Sequence, residues 1–136
     1  ELSSAEKEHL HSLELVAKNL ALAGKADVTF VGIGNVGEDS PLVNDGFIAQ
    51  SEGKELVDLG AVGEVIGWIF DKDGVILDCE LNKRVASTRL NSDNGQLIYG
   101  IAAGKEKVSA IDGAIKSRLI NCVITNEYTA EQLLNK

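Results

Sequence analysis

Three short apolar runs, at residues 27–33, 97–103 and 121–125, constrain this chain more than any other feature of it. Each is bounded by glycine or by polar residues suited to turns, and runs this short that are apolar on both sides suit strands buried in a parallel sheet. Two of them lead into stretches that read as helices, at 107–118 and 127–135. In the first of these, Val108, Ile111, Ala114 and Ile115 recur on one face. Apolar strands alternating with amphipathic helices predict an α/β layered fold with a mainly parallel sheet.

The remaining stretches fit around that frame. Residues 3–23 read as one amphipathic helix, capped by Ser3 or Ser4, with Leu10, Leu13, Ala17 and Leu20 on its apolar side and Gly24 as its stop. A loop containing Asn35, Asp39, Ser40 and Pro41 follows the first strand. Residues 51–59 read as a short helix ending at Gly60. The stretch 64–81, "EVIGWIFDKDGVILDCEL", reads as a β-hairpin with Asp71-Lys72-Asp73-Gly74 as its turn. No internal repeat, low-complexity tract or linker divides the chain, so 1–136 is expected to be a single domain.

Composition excludes several classes of function. The chain carries 13 basic and 21 acidic residues, a net charge of −8. A surface that grips DNA needs clustered Lys and Arg, so this chain alone is a poor DNA binder. No apolar stretch is long enough to span a bilayer, and no signal peptide opens the chain. The chain starts at Glu1 and holds no Met, and the expectation is a piece of a longer protein. Cys79 and Cys122 have no paired spacing and read as small, partly buried thiols in a reducing cytoplasm. His9 and His11 stand two apart on a helix, face different ways and read as solvated. No metal and no cofactor is expected.

Four glycine-bearing or acidic motifs remain. Gly32-Ile33-Gly34-Asn35-Val36-Gly37 has the glycine spacing of a dinucleotide loop, but Glu38, Asp39, Ser40 and Pro41 follow where a helix should begin. Two carboxylates there also repel a phosphate. A plain turn and a ligand loop at a strand end both stay open. Gly100-Ile101-Ala102-Ala103-Gly104-Lys105-Glu106 has one residue too few between its glycines for a nucleotide-triphosphate loop, and Glu106 stands where Ser or Thr is needed. What it offers is Gly104 with Lys105 and Lys107 at a helix start, suited either to an anion or merely to solvent. Asp71-Lys72-Asp73-Gly74 lacks the ligand set of a calcium loop. In "LGAVGEVIG", 59–67, Glu64 sits between a glycine-rich turn and an apolar strand. It reads either as an acceptor for hydroxyl groups or as a strand-edge residue facing water.

Taken together, "VGIG…SPL" at 31–42, "LGAVGEVIGWIFDKDG" at 59–74, "AAGKEKVSAIDGAI" at 102–115 and "LINCVITNEYTAEQLL" at 119–134 resemble the sugar-binding effector domain of the SorC family of bacterial transcriptional regulators. The resemblance covers 26–136, with residues 1–25 as a leading helix. It implies a Rossmann-like three-layer α/β/α domain with a β-hairpin, similar to sugar-phosphate isomerases and deaminases. It also implies a sugar or sugar-phosphate effector bound without turnover, in a homo-oligomer that meets DNA through a helix-turn-helix outside this chain. The family's acidic ligand contact falls on Glu64 and its phosphate-contacting lysine on Lys107, after Gly104. Its strand-end loop falls on Gly32 and Gly34, with Ser40 as the loop serine.

The chain departs from the family in three places. Lys105 replaces a small polar residue, and Asn126 stands where Asp is frequent. Nothing in 1–25 matches the family's earlier strand and phosphate-gripping loop. The sheet is therefore expected to be incomplete, with an uncovered edge or face that favours pairing with another copy. Two rival readings are a sugar-phosphate isomerase or deaminase, which needs a general base and a proton shuttle, and a nucleotide-binding module.

Overall fold

The computed structural model describes residues 3–135. Glu1, Leu2 and Lys136, included in the expected domain, lie outside the described residues. The element order is α1 (Ser4–Ser12), α2 (Glu14–Ala23), β1 (Val28–Gly32), α3 (Pro41–Asn44), α4 (Gln50–Asp58), β2 (Ala61–Val65), β3 (Trp68–Asp71), α5 (Glu80–Arg84), β4 (Leu97–Ile101), α6 (Val108–Lys116), β5 (Cys122–Ile124) and α7 (Glu127–Leu134). A single 3-10 turn, Lys105–Lys107, leads into α6.

β1, β4 and β5 form a parallel sheet in the order β1-β4-β5, while β2 and β3 form an antiparallel ribbon. Gly34 and Glu64 exchange both backbone hydrogen bonds at 2.9 Å and stitch the ribbon to the end of β1. One face of the parallel sheet carries Val31, Ile98 and Gly100 into the main core, with Val65 and Phe70 of the ribbon and Ala110, Ile111 and Ala114 of α6. Glycines allow the close approach. A Cβ on Gly63 would lie 2.6 Å from that of Ala110, and one on Gly113 would press on Phe70. A second core of Ile48, Leu56, Ala61, Ile69 and Cys79 packs α3 and α4 on the ribbon's other side. The ribbon is thus layered by helices on both faces. Among the described residues the parallel sheet is covered on one face only, and Val28, Phe30, Leu97, Ile101 and Ile124 stand exposed on the other.

Several expectations are corrected. The single helix over 3–23 is two, broken at Leu13, whose backbone is extended. Ser3 and Glu6 close a capping box on α1, which supplies partners for two otherwise unpaired amides. The break lets both pieces follow the segment 83–88: Lys7 Nζ donates to the Lys83 carbonyl at 3.1 Å, His11 Nε2 bonds the Ala86 carbonyl at 2.9 Å, and Thr88 Oγ1 reaches the Leu20 carbonyl. His11 is therefore tied down rather than solvated. Leu13 and Ala17 of the expected apolar face are exposed, and Val16 is half-buried instead. Ile115 of α6 is likewise exposed.

The hairpin turns at Ile66-Gly67, not at Asp71–Gly74. Asp71–Gly74 is a turn, with Asp71 Oδ1 accepting from the amides of Asp73 and Val75, but it leads to one isolated bridge, Phe70 to Ile76. Leu77 N–H still bonds the Ile69 carbonyl at 3.1 Å, but the pairing goes no further because the side chain of Asn82 takes the Ile69 N–H. Asn82 Oδ1 accepts from Ile69 N–H at 2.8 Å and its Nδ2 donates to the Ile69 and Leu77 carbonyls. Four residues expected in a loop form α3, started by Pro41 at its first position, where a missing N–H costs nothing.

Candidate functional site

A cleft of about 490 Å³ opens at the C-terminal ends of β1 and β4, lined by Gly32, Ile33, Gly34, Pro41, Glu64, Ile66, Ile101, Ala102 and Lys107. That is the end of a parallel sheet at which α/β folds bind ligands, and the volume suits a small molecule. Four of the six expected site residues meet there: Gly32, Gly34, Glu64 and Lys107.

The two glycines serve different ends. A Cβ on Gly34 would collide with the Glu64 carboxyl, which folds across it. Gly34 N–H is committed to the Glu64 carbonyl. A Cβ on Gly32 would meet no atom within 4 Å, so glycine there keeps the cleft floor open rather than permitting a tight contact. Gly37 lies apart, its carbonyl pressed close to Gly53 of α4.

Glu64 is half-buried, and its Oε2 accepts from Gly67 N–H at 2.8 Å. That bond braces the Ile66-Gly67 turn, in which both residues have positive φ, 45° at Ile66 and 91° at Gly67. A β-branched residue rarely takes such a conformation, and Ser87 Oγ adds a second brace by donating to the Ile66 carbonyl at 2.8 Å. The strained turn holds the Ile66 side chain at the cleft wall. A carboxylate has about four lone-pair positions, so Glu64 keeps capacity for ligand hydroxyls.

Lys107 ends the 3-10 turn ahead of α6. Its ammonium donates to the Ile33 carbonyl at 3.1 Å and to Asn35 Oδ1 at 2.8 Å. An ammonium has three donors; two fix its position against the strand-end loop and the third remains for an anion or a hydroxyl. The N-terminal end of α6 adds a favourable field for negative charge beside it.

Gly104 and Ser40 do not line the cleft. Gly104 has φ 125° and its N–H donates to Thr129 Oγ1 at 2.9 Å, so the donor expected for an anion is already used inside the protein. Ser40 is buried at the start of α3, with its hydroxyl making no hydrogen bond. Asn126 caps α7, its Oδ1 accepting from Thr129 N–H at 2.9 Å. Asp caps equally well, so this departure from the family pattern leaves the local structure intact. Asn35, Ile66 and Thr129 were missed from sequence. Asn35 and Ile66 bear on the site through contacts that spacing does not reveal.

A second cavity, about 440 Å³, lies between α4 and α5. Its acidic residues Glu52, Asp78 and Glu80 pair with Lys83 and Arg84 of the same lining, and it stands away from the strand ends. Among the described residues no group of His, Cys, Asp and Glu is placed to hold a metal ion, and no helix is long and apolar enough to cross a membrane. Cys79 and Cys122 are both free thiols.

Known proteins resemble the chain over nearly all its length. Residues 2–135 match the family model described as "Putative sugar-binding domain". The transcriptional regulator LsrR of Enterobacter sp. is 34% identical over an alignment covering 98% of this chain and 43% of that protein. The full-length sorbitol operon regulator SorC from Klebsiella pneumoniae has a TM-score of 0.84 at 27% identity, covering 97% of this chain and 43% of that one. A structure described as "Putative Sugar-Binding Domain of Transcriptional Repressor from Vibrio fischeri" has a TM-score of 0.81 at 25% identity, covering 97% of this chain and 53% of that one. The chain thus spans less than half the length of such curated relatives.

Proposed function

The chain belongs to the sugar-binding domain family of SorC-type transcriptional regulators, and from that membership we propose that it is the effector-sensing part of such a regulator, taking a sugar or phosphorylated sugar in the cleft between Lys107 and Glu64. One observation carries the reading. A braced ammonium and a braced carboxylate line the same open cleft at the strand ends, with the side-chain space above Gly32 empty between the walls.

A phosphoryl or ring oxygen meets the free donor of Lys107, and a charge-assisted bond of that kind contributes about 1.5–3 kcal/mol. Ring hydroxyls meet Glu64, and Ile66 and Ile101 give the apolar sides of the ring something to lie on. Binding changes the balance of states of a homo-oligomer and so its affinity for operator DNA, which a separate DNA-binding part contacts in the cytoplasm. The ligand shifts that balance only by the difference in its affinity for the two states.

The reading is one of binding without turnover. Proton transfer on a sugar phosphate needs a base and a shuttle within reach of the same atoms. The titratable residues lining the cleft are Glu64 and Lys107, while His11 is tied to Ala86. A thermal-shift screen of sugars and sugar phosphates tests the proposal, because a ligand that binds the folded state alone raises its melting temperature by mass action. A saturable shift with one sugar phosphate, and no product by NMR after overnight incubation, is the expected result. Multiple turnovers by the pure protein would overturn it. Saturable binding of NAD or ATP in preference to any sugar would favour the nucleotide-binding alternative.

A further inference from the structure

We propose that Asn35 is the positioning residue that makes this cleft select an anionic, phosphorylated ligand over its neutral counterpart, by holding the Lys107 ammonium with an acceptor that carries no charge. Resting on the reading of the cleft as a sugar site, this assigns the charge of the ligand and the residue that sets it.

Lys107 is half-buried at the cleft. Its two acceptors, the Ile33 carbonyl at 3.1 Å and Asn35 Oδ1 at 2.8 Å, are both neutral. The chain carries 21 acidic residues against 13 basic ones, and Lys18, Lys72, Lys83 and Lys116 each pair with a carboxylate. Lys107 is instead held by two dipoles. Oriented dipoles satisfy the donors of an ammonium and leave its unit charge in place, whereas a carboxylate at the same distance offsets that charge. The Lys107 end of the cleft therefore keeps a positive field, to which the N-terminal end of α6 adds. Glu64 lines the same cleft and repels a phosphoryl group, so the anionic end of a ligand is drawn to Lys107 and its hydroxyls are left for Glu64.

The place of Asn35 in the chain makes the hold rigid. Ile33 is buried in the core, and Gly34 exchanges both backbone hydrogen bonds with Glu64, so the backbone leading into Asn35 is fixed. Lys107 leads directly into the buried Val108 of α6. An ammonium only donates, so it is the amide oxygen and not the amide nitrogen that faces it. Aspartate has the same shape and reach as asparagine. The choice of amide over carboxylate at position 35 thus sets the charge of the cleft and not its geometry.

The test follows inorganic phosphate, which carries the charge without the sugar, by amide NMR of the protein at about 0.15 M salt, where distant charges are screened. We expect saturable shifts at Gly34, Asn35 and Val108 in the wild type, and their absence overturns the proposal. Asn35→Asp keeps the bond to Lys107 and makes it the stronger, charged kind. Its melting temperature should be equal or higher, while its phosphate affinity falls roughly ten-fold or more, because the added carboxylate offsets the ammonium and repels the anion. A merely structural staple would not separate the two readouts in this way, so unchanged or tighter phosphate binding in Asn35→Asp overturns the proposal. Asn35→Ala removes the acceptor and lets the ammonium swing, which should weaken phosphate binding about three-fold through lost preorganisation. An unchanged affinity in Asn35→Ala overturns the proposal even if the aspartate variant does not fold.

Each sugar of the thermal-shift screen is run beside its own phosphate. A preference for the phosphorylated form that Asn35→Asp abolishes supports both the charge selection and the sugar site. Equal shifts by a sugar and its phosphate overturn the charge selection and leave the sugar site standing. Phosphate binding that Asn35→Asp weakens, with no response to any sugar, overturns the sugar site and leaves Asn35 as the determinant of anion binding.

Discussion

Lys107 Nζ donates to Asn35 Oδ1 at 2.8 Å and holds together two segments more than seventy residues apart in the chain. With its second bond, to the Ile33 carbonyl, the ammonium is fixed before any ligand arrives, which reduces the ordering that binding would otherwise require. Lys107→Met keeps much of the stem and removes the charge. It should weaken binding of a sugar phosphate at least ten-fold in a calorimetric titration. The fold should lose only about 1 kcal/mol, because water can replace the lost partner at an open cleft. Equal affinities for wild type and variant would remove Lys107 from the site.

Gly32 and Gly34 are two residues apart and predict opposite behaviour. Gly32→Ala meets no neighbour, so its melting temperature should match the wild type within a degree or two, while the methyl group takes up cleft space and weakens ligand binding. Gly34→Ala instead drives its methyl into the Glu64 carboxyl. The carboxylate swings off Gly67 N–H, at a cost of about 0.5–1.5 kcal/mol. Combining Gly34→Ala with Glu64→Ala should recover part of that cost, and a double-mutant cycle by chemical denaturation measures the coupling. Additive losses would mean that the two side chains do not collide.

The parts of this fold legible in the sequence are those in which local pattern and tertiary packing agree. β1, β4, β5 and the body of α6 follow from apolar runs and helical periodicity, although the sheet buries Val31 and Ile98 on one face and leaves Val28, Phe30, Leu97, Ile101 and Ile124 exposed on the other. The turn of the ribbon is not legible locally. Asp71-Lys72-Asp73-Gly74 has the better turn chemistry, whereas Ile66-Gly67 is held by Glu64 and Ser87, the latter more than twenty residues away. Leu13 fits a continuous helical stripe, and the bonds to residues 83–88 that accompany the break there are invisible locally. At the cleft, Glu64 and Lys107 stood out through the family resemblance. Asn35 and Ile66 did not, since one matters through a lysine far along the chain and the other through a strained turn.

Ile66 at φ 45° lies in a region where a β-branched side chain is strained, at a cost of about 1–2 kcal/mol. Ile66→Asn should therefore raise stability by about 1 kcal/mol, since Asn tolerates this conformation. The same change removes an apolar surface from the cleft wall, so selectivity among sugars should move with it. Thermal melts and a ligand panel on the same preparation check both. A variant less stable than wild type would show that the packing of Ile66 outweighs its strain.

Asn82 is the buried polar residue on which the ribbon most depends. Its amide makes three bonds, two of them to the N–H and C=O of Ile69, as a neighbouring strand would. Asn82→Ala leaves the N–H of the fully buried Ile69 without its partner, at a cost of about 1–3 kcal/mol, while the Ile69 carbonyl keeps its bond from Leu77 N–H. We expect a loss of about 2 kcal/mol in denaturant unfolding. Faster amide exchange at Ile69 and Leu77 should accompany it, because the strand loses its side-chain partner. Asn82→Asp separates shape from donors: it keeps the acceptor for Ile69 N–H, loses the two donations to carbonyls and buries a charge. It should be at least as destabilising as alanine at neutral pH and recover as acid neutralises it. A pH-independent Asn82→Asp variant would show that the carboxyl escapes to solvent and that the ribbon tolerates the loss.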